Sequence, residues 1–191
     1  SNLSQDRNPT ILILPTNLSH KFRSPMFCVA HLVSCVWAET FMVPMRDGIK
    51  LSTEVVLPGN STKSTFSAVM DRSPYTHAGT EQLAEAFVPR GYAAVLQDMR
   101  GTGQIQGKFT VWKGDADDAF DTMKWISEQD WSNKKVYTVG ASADGLAQFV
   151  MPLDKPEQLQ AQYIMIASID AYSTFYPGGA YRQALNNRWL S

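Results

Sequence analysis

The segment VYTVGASADG, residues 136–145, constrains the fold of this chain more than any other feature. A run rich in β-branched and aromatic residues leads there into a glycine–serine–glycine turn, and the largely apolar stretch 146–151 follows. β-Branched and aromatic residues are enriched in strands. We therefore predict a buried strand over 135–139, a sharp turn at Ser142 and a helix over 146–151.

The same alternation of strands and helices extends along the chain from residue 39. Further strands are predicted at 41–45, 49–57, 66–70, 92–96 and 163–167, with helices at 81–88 and 115–128. The first two strands flank Arg46-Asp47-Gly48, a turn signal that indicates a hairpin. The expected fold class is therefore α/β, a mostly parallel sheet with flanking helices that begins with an antiparallel hairpin. Ligands bind at the carboxyl ends of such strands.

Composition excludes several kinds of partner and cofactor. A net charge of -1 over 191 residues argues against a nucleic-acid partner, which would require a basic face. The two cysteines, Cys28 and Cys35, lie near the start, and no histidine and cysteine cluster has the spacing of metal ligands. We expect no metal and no organic cofactor. The oligomeric state cannot be inferred from the sequence.

Residues 26–38 form a short apolar run after Lys21 and Arg23, and the run ends in Val-Trp-Ala. This is the layout of a secretory signal peptide with a small-residue cleavage site, and the run is too short to span a bilayer. A buried strand or helix is the alternative. The sequon at 60–62 is compatible with secretion. We expect an extension with a signal peptide over 1–38 and a secretory location, with a cytoplasmic location as the alternative.

Ser142 is the candidate nucleophile. A serine on a tight strand-to-helix turn forms a nucleophile elbow, in which a strained backbone lifts the hydroxyl to the top of the sheet. The strict pattern Gly-x-Ser-x-Gly would place its second glycine at position 144, where this chain has Asp144, and Gly145 follows one place later. A chance turn is therefore the alternative interpretation.

A family resemblance makes the first interpretation specific. Five motifs occur in order along the chain: VPMRDGIKL (43–51), DRSPY (71–75), GYAAVLQDMRG (91–101), GASADG (140–145) and YPGGA (176–180). Between them, residues 117–126 fit a helix before the nucleophile strand. Together the motifs resemble the catalytic domain of the CocE/NonD family, the cocaine esterase and Xaa-Pro dipeptidyl-peptidase-like hydrolases. The resemblance covers residues 41–190.

The resemblance implies an α/β-hydrolase fold and three site residues. Ser142 matches the acylated nucleophile, and Tyr75 matches the tyrosine whose hydroxyl completes the oxyanion hole. Ala143 follows the nucleophile, and its backbone N–H would be the second oxyanion donor. The implied activity is cleavage of an ester or an amide of the Xaa-Pro dipeptidyl-peptidase type, through an acyl-Ser142 intermediate. Residues 39–191 would then be part of the catalytic domain, with the start of its helical cap at 171–191.

The remaining charged residues favour structural roles. Asp98 and Arg100, just after a predicted strand, are expected to form a buried structural pair, because lone buried charges are costly. The acidic run at 115, 117, 118 and 121 is expected to be the solvated start of a helix. His77 is expected to be a loop residue rather than the base.

The order of triad residues leaves the base unassigned. In α/β-hydrolases the acid and the histidine follow the serine, whereas His20, His31 and His77 all precede Ser142. The resemblance implies that the acid and the histidine lie beyond Ser191 and that this chain alone is inactive. The partner would be a small-molecule ester or a peptide substrate. An inactive hydrolase-like fragment and a secreted binding domain are the alternative functions.

Overall fold

The computed structural model describes residues 37–59, 65–76, 79–103, 105–110 and 112–190. Six strands form one mixed sheet in the order β1-β2-β4-β3-β5-β6. The strands are β1 (Trp37–Pro44), β2 (Lys50–Leu57), β3 (Phe66–Ser73), β4 (Ala93–Asp98), β5 (Ser132–Ala141) and β6 (Leu159–Met165). The helices are α1 (Thr80–Phe87), α2 (Asp115–Ser127), α3 (Ala143–Gln148), α4 (Ala171–Phe175) and α5 (Gln183–Leu190).

The predicted amino-terminal hairpin is confirmed. Strands β1 and β2 pair antiparallel, and the turn between them carries Gly48 at φ +87, a backbone conformation that only glycine adopts at little cost. Strand β1 begins with Trp37 and Ala38, which pair with Leu57 and Val56. The rest of the apolar segment 26–38 and the sequon at 60–62 lie outside the described residues.

The other four strands make the sheet predominantly parallel, as predicted. Strand β2 joins them through an antiparallel pairing with β4, and β4, β3, β5 and β6 pair parallel to one another. Helix α1 packs on one face, where Leu83 meets Val69 and Leu96. Helices α2 and α3 cover the other face, where Met123 and Ala147 join the larger apolar cluster. The chain therefore has the α/β fold class that the sequence predicts.

Strand β3 runs three residues further than predicted, because its polar end is buried rather than exposed. Arg72 lies in that end and is inaccessible to solvent. Its Nε donates to Gln97 Oε1 at 2.8 Å, and its guanidinium pairs with Asp115 at 3.3 Å and with Asp118 at 3.5 Å. The description of the acidic run as solvated is wrong for these two aspartates, which are 4% and 0% exposed.

Arg100 takes part in the same network. Its Nε donates to Asp118 Oδ2 at 2.7 Å, and its Nη1 donates to Asp47 Oδ2 in the hairpin turn at 2.8 Å. We expected Arg100 to pair with Asp98. Its ion pairs are instead with Asp47 and Asp118, which lie in other elements. These contacts connect the hairpin, the loop after β4 and helix α2.

Strand β6 is shifted from its predicted position and begins at Leu159, four residues before the predicted start. Helix α3 begins at Ala143, directly after the turn, as a nucleophile elbow requires. Gln160 and Gln162 interrupt the apolar pattern of β6, which lies at the edge of the sheet. Within the described ranges, no helix is long and apolar enough to cross a bilayer.

Candidate active site

The sheet has a crevice between the carboxyl ends of β3 and β5. These strands are parallel neighbours, and the chain leaves them in opposite directions. From β3 it continues through α1 to β4 on one side, whereas from β5 it continues through α3 to β6 on the other. Such a switch point is where open α/β sheets bind ligands. We call the edge formed by Ser73 and Ala141 the carboxyl-end rim.

Ser142 lies on this rim, between the last residue of β5 and the first residue of α3. Its backbone has φ 54 and ψ -117, a combination that is strained for a residue with a side chain. Two hydrogen bonds hold it there: its N–H donates to Met165 O at 3.0 Å, and its carbonyl accepts from Leu146 N–H at 2.9 Å. The predicted sharp turn with an unusual backbone is therefore present, and the side chain is exposed.

The two glycines of the motif are required by close packing around the turn. A Cβ added to Gly140 would lie 2.8 Å from the Cβ of Asp144, and one added to Gly145 would lie 2.9 Å from Met165 O. Contacts that short do not occur between real atoms of these kinds. The second glycine is therefore needed at position 145, where α3 passes close to the end of β6. Position 144 has room for a side chain.

Ala143 is one of the residues that line a cavity beside the turn. The residue is 1% exposed, and no described group accepts a hydrogen bond from its N–H. The cavity has a volume of about 480 Å³ and lies between the turn, the segment after β6 and the start of α5. Its walls are mostly apolar, with Arg182 as the charged side chain; they comprise Ser142, Ala143, Leu146, Ile166, Ala167, Ser168, Thr174, Phe175, Arg182 and Leu185.

Tyr75 lies on the same carboxyl-end rim, two residues beyond the end of β3. The sheet topology therefore places the turns that carry Tyr75 and Ser142 at one rim, as the resemblance implies, and the approach of the Tyr75 hydroxyl to Ser142 stays a prediction. Its side chain is 47% exposed. Its backbone N–H donates to the Ser73 Oγ at 3.1 Å, which ties the turn after β3 to the last residue of the strand.

Two half-buried aspartates near the rim, Asp71 and Asp144, were not predicted from the sequence as titratable groups. Burial, together with the like charge of Asp144, raises the pKa of Asp71 to about 7. Burial also raises the pKa of Asp144 to about 6, although a hydrogen bond from the Ser73 side chain opposes the shift. In each carboxyl group, Oδ1 is buried without a hydrogen-bond partner among the described residues. In the sequence, Asp144 was the feature that could have indicated such a group, because it is a charged residue where the strict motif has its second glycine.

A base for Ser142 is not among the described residues. His20, His31 and His77 all fall outside the described ranges, and no described side chain hydrogen-bonds to the Ser142 hydroxyl. The part of the chain that the structure describes also holds no group of three or more potential metal ligands. The described site thus consists of Ser142, Ala143 and the mostly apolar cavity that they line, with Tyr75 on the same rim but not among the residues that line the cavity.

Sheet order, helix placement and the serine on the turn after β5 together define an α/β-hydrolase fold. The protein family described as X-Pro dipeptidyl-peptidase (S15 family) matches residues 47–191, and this chain belongs to that family of hydrolases. Cocaine esterase from Rhodococcus sp. (strain MB1 Bresler) is 34% identical over 151 residues, which cover 75% of this chain and 26% of the esterase.

Solved structures give the same assignment. An α-amino acid ester hydrolase superposes with a TM-score of 0.61 at 27% identity, over 71% of this chain and 26% of that one. A CocE/NonD family hydrolase from Staphylococcus aureus superposes with a TM-score of 0.59 at 25% identity, over 67% of this chain and 27% of that one. The resemblance inferred from the motifs is confirmed. The chain spans about a quarter of the length of these relatives.

Proposed function

We propose that this protein is a serine hydrolase that cleaves an ester or an amide through an acyl-Ser142 intermediate. The observation that carries the proposal is the backbone of Ser142, held at φ 54 between a buried strand and a helix beside a cavity. Strained backbone of this kind clusters at functional sites, and here it presents an exposed hydroxyl at the mouth of an apolar space. Family membership supplies the class of reaction, hydrolysis.

In the proposed reaction the Ser142 hydroxyl oxygen attacks the carbonyl carbon of the substrate. A bond forms between Oγ and that carbon, the carbonyl oxygen becomes an oxyanion, and the hydroxyl proton passes to a base. When the tetrahedral intermediate collapses, the leaving alcohol or amine departs with that proton and the acyl group stays on Ser142. Water then attacks the acyl group by the same steps and releases the acid.

Two donors are assigned to the oxyanion. No described group accepts a hydrogen bond from the Ala143 N–H, and Ala143 lines the cavity beside Ser142, which suits a donor that must meet charge only as it develops. Tyr75 adds a neutral phenol from the neighbouring strand end. Neither donor brings a net charge into an apolar site, and one donor of this kind contributes about 3 kcal/mol to the transition state.

The base is proposed to be a histidine oriented by an acid, as in other α/β-hydrolases, with both residues located after Ser191. A serine hydroxyl is a poor nucleophile until a base removes its proton. The triad acts as a unit, so loss of the histidine costs about as much as loss of the serine, roughly 10⁶ in kcat. We therefore expect residues 1–191 alone to show almost no turnover, and a chain extended through the acid and the histidine to be active.

The substrate is proposed to present an apolar group to the cavity beside Ser142. The relatives include enzymes named for ester substrates, and the family is named for peptides that contain proline. A p-nitrophenyl ester and a Gly-Pro p-nitroanilide therefore serve as the two probes, and each releases a coloured nitroaromatic product, p-nitrophenol or p-nitroaniline. The extended chain is expected to hydrolyse at least one of them, and the ratio of the two kcat/KM values assigns it as an esterase or a peptidase.

The test combines turnover with labelling by a fluorophosphonate, which reacts with an activated serine. The extended chain should label at Ser142, and Ser142→Ala should abolish both labelling and turnover. Ser127→Ala is the matched control, because Ser127 lies at the end of α2, donates its hydroxyl proton to Lys124 O and does not line the cavity. Turnover that survives Ser142→Ala would contradict the proposal. An extended chain that never labels would instead favour a hydrolase-like binding domain.

A further inference from the structure

The cavity beside Ser142 is lined by one charged residue. Arg182 belongs to its lining and lies just before the first residue of α5. The other lining residues are apolar, apart from the hydroxyl side chains of Ser142, Ser168 and Thr174. The described lining contains no acidic residue. An anionic group that enters the cavity would therefore meet one positive charge there and no fixed negative charge.

Backbone hydrogen bonds hold Arg182 at this wall. Its N–H donates to Phe175 O at 3.0 Å, and its carbonyl accepts from Asn186 N–H at 3.0 Å. Asn186 is 1% exposed, and its side-chain amide donates to Phe175 O at 3.3 Å. These bonds connect the start of α5 to the end of α4, where Phe175 lines the same cavity. The backbone of Arg182 is thus fixed relative to the cavity.

The guanidinium of Arg182 has no acidic partner within the described ranges. Arg46, Arg72 and Arg100 each pair with two aspartates, whereas no such pair forms at Arg182. A guanidinium presents five N–H donors in a rigid fork that matches the two oxygens of a carboxylate. The charge of Arg182 is therefore available to a carboxylate that is not part of the described protein.

Ile166 supplies an apolar part of the same wall, on a strained backbone. It is the first residue after β6, its φ is 50, and it is 89% exposed. For a β-branched residue such a conformation is a genuine outlier. Its neighbours pack against the nucleophile turn: Met165 O accepts the Ser142 N–H at 3.0 Å, and Ala167 lies close to Gly145. Strain of this kind clusters at ligand sites, which favours a role for the exposed side chain in contacting substrate.

We propose that the substrate carries a carboxylate and that Arg182 is the residue that selects for it. The inference rests on the proposed function, because the cavity concerned lies beside the nucleophile Ser142. An apolar part of the substrate contacts Ile166, and its carboxylate accepts hydrogen bonds from the guanidinium. Such charge-assisted hydrogen bonds are stronger in mostly apolar surroundings than in water. Arg182 takes no part in the bond-breaking steps and acts on specificity alone.

Two pairs of esters test the proposal in the extended chain. Mono-p-nitrophenyl adipate and p-nitrophenyl hexanoate have acyl groups of the same length, which end in a carboxylate or a methyl group. Hexanoate esters of 4-hydroxybenzoate and of phenol carry the same difference in charge on the leaving group. In at least one pair, Arg182→Gln should lower kcat/KM about tenfold for the carboxylate ester and less than about twofold for the neutral ester. Comparison with the parent cancels the intrinsic reactivity of each ester.

Further variants separate charge from shape. Arg182→Lys keeps the charge but not the planar fork, so its loss on the carboxylate ester should be smaller, about threefold. Ile166→Ala should lower kcat/KM by a similar factor for both esters of a pair, because it removes an apolar contact only. Arg90→Gln is the distant control, because Arg90 lies just before β4, at the amino end of that strand and away from the carboxyl-end rim. It should match the parent on all four esters.

Two measurements do not depend on turnover. In a Ser142→Ala background, where the esters are not cleaved, Arg182→Gln should raise the Kd of the same carboxylate ester about tenfold in calorimetry. Rising salt should weaken that binding when Arg182 is present and much less when it is absent. The urea midpoint of Arg182→Gln should equal that of the parent, because no described acid loses a partner.

The outcomes distinguish this proposal from the proposed function. If Ser142→Ala leaves turnover intact, the assignment of the nucleophile is wrong. If Ser142→Ala abolishes turnover but Arg182→Gln affects both esters of each pair equally, or neither, only the proposed substrate class is wrong. A lowered urea midpoint in Arg182→Gln would also overturn it, because Arg182 would then support the fold rather than select the substrate.

Discussion

Asp71 and Asp144 place two carboxyl groups near the same rim of the sheet, and the charge of Asp144 makes Asp71 harder to ionise. Each carboxyl group also has a buried oxygen without a partner among the described residues. The pKa of Asp71 is raised from 3.8 to about 7, mainly by burial. A carboxyl group with a raised pKa binds its proton more tightly in the folded state. The folded state therefore loses stability as the pH rises from 3.8 to about 7.

Asp71→Asn should therefore stabilise the protein at high pH and much less at low pH. At pH 8 the folded parent must carry a poorly solvated carboxylate, and its removal should raise the free energy of unfolding by up to about 4 kcal/mol, the equivalent of the pKa shift. Near pH 3.5 the group is largely protonated in both states, and the change should be close to zero. Urea unfolding at pH 3.5, 6 and 8 measures this, with Asp130→Asn at an exposed position as the control. An equal change at every pH would contradict the prediction.

Arg72 should be far more important for stability than the exposed arginine of the hairpin. Arg72→Met leaves Asp115 buried without its cation and removes one partner of Asp118, which should lower the free energy of unfolding by about 3–5 kcal/mol. Arg46→Met is the matched control: Arg46 pairs with Asp117 and Asp121, but its side chain is 48% exposed. Its loss should cost less than about 1 kcal/mol. Similar losses in urea unfolding for the two variants would be inconsistent with this account.

Gly140→Ala should damage the turn through a single methyl group. The new Cβ would lie 2.8 Å from both Cβ and the carbonyl carbon of Asp144, so α3 must move away from β5. We expect a loss of about 1–3 kcal/mol in the free energy of unfolding, together with loss of Ser142 labelling by a fluorophosphonate in the extended chain. Gly79→Ala is the control, because its Cβ would meet nothing closer than 3.9 Å. Normal labelling of Gly140→Ala would show that the packing around the turn tolerates the shift.

The sequence predicted those parts of the fold that depend on local pattern. The hairpin, the alternation of strands and helices and the turn at Ser142 follow from apolar runs and glycine positions within a few residues. The burial of Asp115 and Asp118 could not be predicted in this way. Whether a charge is buried depends on its partner, and Arg72 lies 43 residues from Asp115.

The same limit applies to the candidate site. Ser142, Ala143 and Tyr75 were assigned from motifs, and the sheet topology brings the turns that carry them to one rim. The raised pKa values of Asp71 and Asp144 were missed, because burial, their main cause, depends on packing that no local pattern shows. Strand β6 was misplaced for a different reason: an edge strand is buried on few sides, so Gln160 and Gln162 are tolerated and the apolar signal is weak.

Backbone strain at Ser142 makes a prediction that does not depend on activity. With φ 54 and ψ -117, the Cβ of residue 142 is a source of strain that costs about 1–3 kcal/mol, whereas glycine adopts this conformation readily. Ser142→Ala and Ser142→Gly both remove the hydroxyl and differ in the Cβ alone. Glycine pays more unfolded-state entropy, about 0.5–1 kcal/mol, so the net advantage of Ser142→Gly over Ser142→Ala should be about 1 kcal/mol.

Urea unfolding of the two variants measures this difference, and Ser127 provides the opposite case. Ser127 lies in the last turn of α2, where ordinary helical geometry makes glycine the poorer residue, so Ser127→Gly should be about 1 kcal/mol less stable than Ser127→Ala. We therefore expect Ser142→Gly to be more stable than Ser142→Ala, and Ser127→Gly to be less stable than Ser127→Ala. If Ser142→Gly is instead the less stable of its pair, the turn does not store strain in the folded protein, and the conformation of Ser142 loses its value as an argument for a nucleophile.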